Sequence, residues 1–235
     1  MQSIETHSAR LSAPLSELFP RSALTAELRG AGDPGALYPD EARHVRKAVR
    51  KRAEEFAAGR LCARLLLREL GIQNFAIEVG ADRQPVWPKD LVGSITHTTG
   101  FCAAVIGRKT SLRSVGIDTE ITGSVQPKLW RGICTPSETV WLRALPESER
   151  LAAATLIFSA KEAFYKCQFA VTQERLGFHD VAIELPAWGE KGGAFKIVAN
   201  RSIELERSAA LTLHGRYLFH EQFITAGIAL AAAPA

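Results

Sequence analysis

Cysteine is scarce and unpatterned in this chain. Its four cysteines, Cys62, Cys102, Cys134 and Cys167, form no C-x-x-C pair and join no histidine at zinc spacing. Each sits among apolar neighbours, which speaks against a disulfide framework or a structural zinc and predicts small core residues in a reducing compartment. No apolar run approaches the roughly 20 residues of a membrane span. The first residues lack the apolar centre that a signal peptide needs. The expectation is a cytoplasmic protein with no stable membrane insertion. Charge of one sign is missing too: 29 Lys and Arg stand against 25 Asp and Glu, a net charge of +4. So mild an excess does not by itself call for nucleic acid, and it suits equally a polyanionic small molecule or an acidic partner. Identical repeats and low-complexity segments are absent.

What remains is an ordinary globular composition, with 46% hydrophobic and 23% charged residues over 235 positions, enough for a sizeable core. Residues 1–38 read as an irregular lead-in with one short strand. Helical spacing from Val45 to Leu65, with Asp40 as a cap and Gly71 as a stop, predicts one long helix over 40–70. Its outer face carries nine basic residues between Arg43 and Arg68. Strands are predicted at 72–79, 91–95, 101–107 and 115–120, with a turn at 96–100 and loops at 80–90 and 121–134. Thr135 caps a helix that starts at Pro136. Helical spacing resumes over 147–169, and strands follow at 181–185, 194–198, 209–213 and 223–230, before a frayed tail at 231–235. Helix and strands followed by helices and strands suggest an α+β protein of two similar-sized halves that meet near 110–120.

Two short segments carry the most chemistry. In Val115-Gly-Ile-Asp-Thr-Glu120, Asp118 and Glu120 stand two apart on a strand and share a face. Like charges repel there unless a cation or solvent lies between them, and Gly116 lets a backbone or ligand come close. The segment Phe158-Ser-Ala-Lys-Glu-Ala-Phe-Tyr-Lys166 reads as a mostly apolar helix on which Lys166 follows Glu162 by one turn. The simplest account of that pair is a surface ion pair worth about 0.2–0.5 kcal/mol. On so apolar a helix, however, it points to a cleft. Asp118, Glu120 and Glu162 are hard oxygen donors of the kind that suit a magnesium ion and a phosphorylated substrate. Two further groups attract notice. Gly93-Ser94-Ile-Thr-His97-Thr is rich in phosphate-binding donors, though it is neither a Walker loop nor a nucleophile elbow. On the basic helix, Arg52 and Arg60 lie roughly 80° apart around the axis, and spacing alone does not single them out from their neighbours.

Taken in order, Arg52-x-x-Glu-Phe-x-x-Gly-Arg60, Gly93-Ser-Ile-Thr-His97, Val115-Gly-Ile-Asp118-Thr-Glu120 and Phe158-Ser-Ala-Lys-Glu162-x-x-x-Lys166 resemble the 4′-phosphopantetheinyl transferases, over about residues 45–185. The likeness is closer to the monomeric, two-lobed type that serves siderophore, nonribosomal peptide and polyketide synthesis, such as the enterobactin synthase component D group. The resemblance implies two similar α/β lobes related by pseudo-twofold symmetry, here residues 1–112 and 113–235. It implies a holo-[carrier protein] synthase that moves phosphopantetheine from coenzyme A to a serine of an apo acyl, peptidyl or aryl carrier protein. Asp118, Glu120 and Glu162 then stand as ligands of Mg2+, or of Mn2+ in its place. Lys166 stands on the pyrophosphate, Ser94 and His97 on phosphate, Arg52 and Arg60 on the 3′-phosphate, and Arg83 on the nucleotide. Glu162 is the candidate general base, directly or through a metal-bound water; whether it ligates, takes the proton, or does both stays open. The apolar residues Leu129, Trp130 and Ile133 are expected to meet the carrier or to pack the core.

Rival readings share only parts of this set. Another magnesium-dependent phosphotransferase or nucleotide hydrolase would use the acids but not the basic helix and His97 in this order. A nucleic-acid binder would interleave exposed aromatics with the basic residues, whereas this helix carries Glu54, Glu55 and Glu69.

Overall fold

The structure, a computed structural model, describes residues 8–189, 191–207 and 213–233. Its alternating apolar segments build two antiparallel sheets. The first contains β1 (Arg10–Leu11), β2 (Ala23–Arg29), β3 (Leu91–Thr98) and β4 (Phe101–Arg108), in the order β1-β2-β4-β3. The second contains β5 (Leu112–Ile121), β6 (Val181–Glu184), β7 (Gly192–Ala199), β8 (Leu213–His220) and β9 (Phe223–Ala231), in the order β5-β9-β8-β7-β6. Short helices α1 (Ala13–Ser16) and α2 (Pro39–Ala42) precede the long α3 (Arg50–Glu69) of the first lobe. In the second lobe α4 (Pro127–Ile133) and α5 (Pro136–Ala144) lead into α6 (Glu147–Thr172), and α7 (Glu204–Arg207) follows. Each lobe thus lays one long helix on one sheet, a two-lobed α+β fold.

Small residues set how closely helix and sheet approach. Ala58, Cys62 and Ala63 of α3 are buried with Leu66 and Leu67 against β4 and β3. In the second lobe Ala160 and Ala163 of α6 are fully buried. A Cβ on Gly116 would come within 1.9 Å of the Ala163 carbonyl oxygen, so glycine is what allows β5 to lie on α6. The close neighbour anticipated for Gly116 is therefore backbone.

The lobes share a third core, in which Leu15, Phe19, Phe101 and Val105 meet Leu112, Ile117 and Phe223. Beside it, the outer strands β3 and β5 face each other without a backbone ladder. The Ile117 N–H donates to Ser94 Oγ at 3.2 Å, and the Thr119 N–H donates to Thr96 Oγ1 at 2.9 Å. Side-chain hydroxyls on one face of β3 replace the carbonyls of a neighbouring strand. Two ion pairs also cross between the lobes, Arg29 to Glu221 and Arg175 to Asp82, the latter at 2.7 Å.

Several sequence expectations are corrected. The helix predicted over 40–70 is broken: α2 ends at Ala42, and α3 starts after Val49, which is extended at φ −63° and ψ 152°. Arg43, Arg46 and Lys47 therefore lie in the turns between them, off the helix face. The strand predicted at 72–79 does not form; Ile77 is buried, but its N–H goes to Glu41 Oε1 at 3.0 Å and its carbonyl to Arg60. Buried side chains do the work that a ladder would have done. β3 continues through Thr98, because Thr96 pairs with Ala103 and Thr98 with Phe101, so His97 stands on a strand rather than in a turn. The 121–134 segment holds α4. Of the strand predicted at 209–213, residues 209–212 lie outside the described residues, and β8 starts at Leu213 and runs to His220. The predicted tail starts at Ala231, which is the last residue of β9, and residues 234 and 235 lie outside the described residues.

Candidate active site

Asp118 lies near the centre of β5 and is 5% exposed. Its Oδ1 accepts from Lys166 Nζ at 2.7 Å and from Thr96 Oγ1 at 3.3 Å. Its Oδ2 is buried with no hydrogen-bond partner. Buried carboxylate oxygens are normally paired, so a bare one marks a place built for something else. Helix α6 reaches the same residue from the other side. Ser159, Glu162 and Lys166 repeat at helical spacing and share the face turned to β5. Ser159 Oγ donates to the Asp118 carbonyl at 3.0 Å, and Lys166 Nζ also donates to the Ile117 carbonyl at 3.0 Å.

Glu120 and Glu162 complete the acidic group and are half-buried. Burial, then the charge of Asp118, pushes the Glu120 carboxyl up to about 7; Glu162 adds to this and Lys166 opposes it. Burial and Asp118 likewise raise Glu162. Among the described residues, no three acidic, histidine or cysteine side chains already converge as a metal-ligand set. The charge of Asp118 raises the proton affinity of both Glu120 and Glu162, and a divalent cation among the three would relieve that cost.

A cleft of about 500 Å³ opens at this point between the lobes. Arg83, Trp87 and Ser94 line it from the first lobe, and Glu162, Tyr165 and Lys166 from the second. Arg83 holds a left-handed φ of +67° in the tight 80–84 loop, where the Gly80 N–H donates to the Gln84 carbonyl at 2.8 Å. A second hollow, of about 360 Å³, lies where α3 faces the β3–β4 turn, and it is lined by Lys51, Glu55 and His97. Arg52 stands beside it, with Nη1 at 2.9 Å from His97 Nε2. A guanidinium only donates, so Nε2 is the acceptor and the imidazole is neutral. Burial depresses the His97 proton affinity, although Glu55 at 3.4 Å opposes this.

The expected site residues thus divide. Asp118, Glu120, Glu162 and Lys166 come together, Arg83 lies across the cleft, and Arg52 joins His97. Ser94 lines the cleft but does not stand beside His97: positions 94 and 97 of a strand point to opposite faces, and the Ser94 hydroxyl oxygen accepts the Ile117 N–H of β5. Arg60 does not join Arg52 in an open clamp. It is 7% exposed, its Nε and Nη2 donate to the carbonyls of Ile77 and Glu78, and its guanidinium lies 3.8 Å over the Phe56 ring. Burial brings its pKa down to about 10. Trp130 and Ile133 sit in the second-lobe core, where Trp130 Nε1 donates to the Val125 carbonyl; of that trio only Leu129 is exposed.

Sequence reasoning passed over Thr96 and Ser159, whose only signals are strand alternation with Ser94 and helix spacing with Glu162. It also left Lys161 without a role. This lysine is buried and donates to Glu138 Oε2 at 2.7 Å and to the carbonyls of Ile133 and Phe178 at 2.9 and 2.7 Å. Glu138 in turn accepts from the N–H groups of Thr135 and Ile183. The lysine beside Glu162 pins α4, α5 and β6 to α6.

Comparison with known proteins accords with this arrangement. Residues 40–107 match the 4′-phosphopantetheinyl transferase N-terminal domain, and residues 114–219 match the 4′-phosphopantetheinyl transferase superfamily. The 4′-phosphopantetheinyl transferase Npt of Nocardia iowensis is 32% identical over 220 residues, which is 91% of this chain and 98% of that protein. The transferase PptT of Mycobacterium tuberculosis is 34% identical over 84% of this chain and 88% of its own length. Enterobactin synthase component D of Escherichia coli is 38% identical over 59% of this chain and 65% of its own length. Likeness of this extent, covering both lobes, establishes that the chain belongs to the 4′-phosphopantetheinyl transferase family.

Proposed function

We propose that the protein transfers the 4′-phosphopantetheine group of coenzyme A to a serine of an apo carrier protein and releases adenosine 3′,5′-bisphosphate. The observation that carries this reading is the bare, buried Oδ2 of Asp118, set beside Lys166 at a cleft between the lobes. Its surroundings of hard carboxylates fit magnesium, with manganese as a substitute. Asp118, Glu120 and Glu162 would hold it together with the pyrophosphate, and when bound it would neutralise charge on the phosphate oxygens. Lys166, already in the cleft, places a second cation on the pyrophosphate. Arg52 and His97 hold the 3′-phosphate in the smaller hollow, and Arg60 braces α3 behind them. Arg83 faces the nucleotide from the 80–84 loop.

The chemistry is one displacement. The serine oxygen bonds to the β-phosphorus, the bond from that phosphorus to the bridging oxygen breaks, and the nucleotide leaves with the electron pair. The serine proton passes to Glu162, whose raised proton affinity suits a general base. The carrier docks on a groove of about 980 Å³ formed by α4, α5 and the start of α6. Trp130 and Val140 give it an apolar floor, and Arg131, Arg143 and Arg150 line its sides, which matches an acidic partner. Acyl, peptidyl and aryl carriers of siderophore, nonribosomal peptide, polyketide or fatty-acid synthesis all present that chemistry, and the likeness to an enterobactin synthase component supports the siderophore branch. A single chain supplies both walls of the cleft, which supports action as a monomer, and four buried free thiols support a reducing cytoplasm.

The test is labelled coenzyme A offered to a panel of apo carriers with and without magnesium. We expect label on carrier only with the metal; no transfer to any carrier, or equal transfer in chelator, would refute the reading.

A further inference from the structure

We infer that Thr96 is a positioning residue that reaches across from the first lobe and aims Asp118, fixing one carboxylate oxygen so that the other is presented to the metal; this rests on the function proposed above. Thr96 is 1% exposed and its hydroxyl has no freedom. One lone pair receives the Thr119 N–H at 2.9 Å, and the proton goes to Asp118 Oδ1 at 3.3 Å. Accepting from the residue after Asp118 while donating to Asp118 itself, the hydroxyl ties side chain and backbone into one geometry. The β-branch of threonine adds a stiff χ1. Ser94, two residues earlier, bonds only to backbone, so its contact joins the lobes without touching a carboxylate.

Lys166 holds the same Oδ1, but it is a different kind of hold. Its ammonium is on a flexible stem, 28% exposed, and in the proposed reaction it must serve the pyrophosphate. When Lys166 turns to substrate, Thr96 is the side chain that still holds Oδ1. The orientation of a second-lobe ligand is therefore set by a first-lobe strand, and the metal site is complete only when the lobes are docked.

The experiment titrates Mn2+ into protein saturated with coenzyme A, without carrier, and reads free Mn2+ by its electron paramagnetic resonance signal. Thr96→Val keeps the shape and removes the hydroxyl. We expect its Mn2+ affinity to fall about 10–100-fold, the range for losing a group that orients a ligand. Thr96→Ser, which restores the hydroxyl, should return affinity towards wild type. Ser114→Ala is the stability control, because Ser114, on the strand that carries Asp118, donates through its Oγ to the Cys167 carbonyl of α6 at 2.7 Å and touches no acid. It should lower the melting midpoint as Thr96→Val does, yet bind Mn2+ like wild type. Wild-type affinity in Thr96→Val, or equal weakening in Ser114→Ala, would overturn the inference while leaving the metal site standing. Failure of the wild type itself to bind Mn2+ would overturn the metal reading and the inference with it.

Discussion

Lys161→Ala separates a lysine that serves the fold from one that serves the substrate. In the folded protein Lys161 and Glu138 are 2% and 3% exposed, and the ammonium makes three hydrogen bonds, one to the carboxylate and two to carbonyls. Removing it leaves a buried carboxylate with only the N–H donors of Thr135 and Ile183, and strands the buried Ile133 carbonyl and the part-buried Phe178 carbonyl. Breaking one partner of such a pair costs about 3–5 kcal/mol. At about 2–4 °C per kcal/mol for a chain of this size, the melting midpoint should fall by about 6–20 °C. Calorimetry on the ligand-free protein reads the loss. Transfer measured well below the new midpoint should remain close to wild type, because no substrate contact has gone. Lys161→Met combined with Glu138→Gln should lose less than the two single changes together, since neither charge is left unpaired. A midpoint that moves by under about 2 °C while transfer disappears would refute the structural role and return Lys161 to the substrate.

Four further outcomes can be checked. Glu162→Gln should lose transfer even at saturating magnesium if the residue takes the serine proton; recovery at high metal would show that it only ligates. Arg52→Ala should weaken coenzyme A by about tenfold or more, the loss of a charge-assisted contact, and leave dephospho-coenzyme A nearly unchanged in titration calorimetry; equal loss for both would refute the 3′-phosphate assignment. Because burial lowers the His97 pKa from its ordinary value of 6.5 and a phosphate would favour the charged form, binding at a pH between the free and bound pKa should take up a proton. That uptake appears as a buffer-dependent heat, and its persistence in His97→Gln would exclude His97 as the source. Gly116→Ala forces a Cβ to within 1.9 Å of the Ala163 carbonyl, so β5 must retreat from α6. Both midpoint and transfer should drop; a variant with wild-type activity would show that the approach is not needed.

The acids and Lys166 were legible because their spacing is periodic: two on a strand face and two on a helix face leave few ways to be arranged. The lobes were legible from the repeated order of helix and strands. The surroundings of Arg60 were not legible because they are not written nearby; Ile77 and Glu78, whose carbonyls accept from its guanidinium, are 17 and 18 residues away. Residues 72–79 looked like a strand on apolar content, yet Glu41 and Arg60 satisfy Ile77 without any ladder. Ser94 and His97 were grouped as one phosphate turn because the turn was drawn too early; once β3 extends to Thr98, alternation sends them to opposite sides. Lys161 had no sequence signal at all, since its partner Glu138 belongs to another helix.

The hydroxyls of Ser94 and Thr96 have a consequence for solubility. β5 is the outermost strand of its sheet, and an uncovered outer strand offers its free N–H and C=O groups to any other chain. Here the Ile117 and Thr119 N–H groups are consumed by serine and threonine, and the Ile117 carbonyl by Lys166. The protein blunts this edge with two hydroxyls from its other lobe and with the α6 lysine assigned to the substrate. Separation of the lobes would thus expose an apolar strand ready to pair with its like, and self-association would accompany loss of the catalytic cleft.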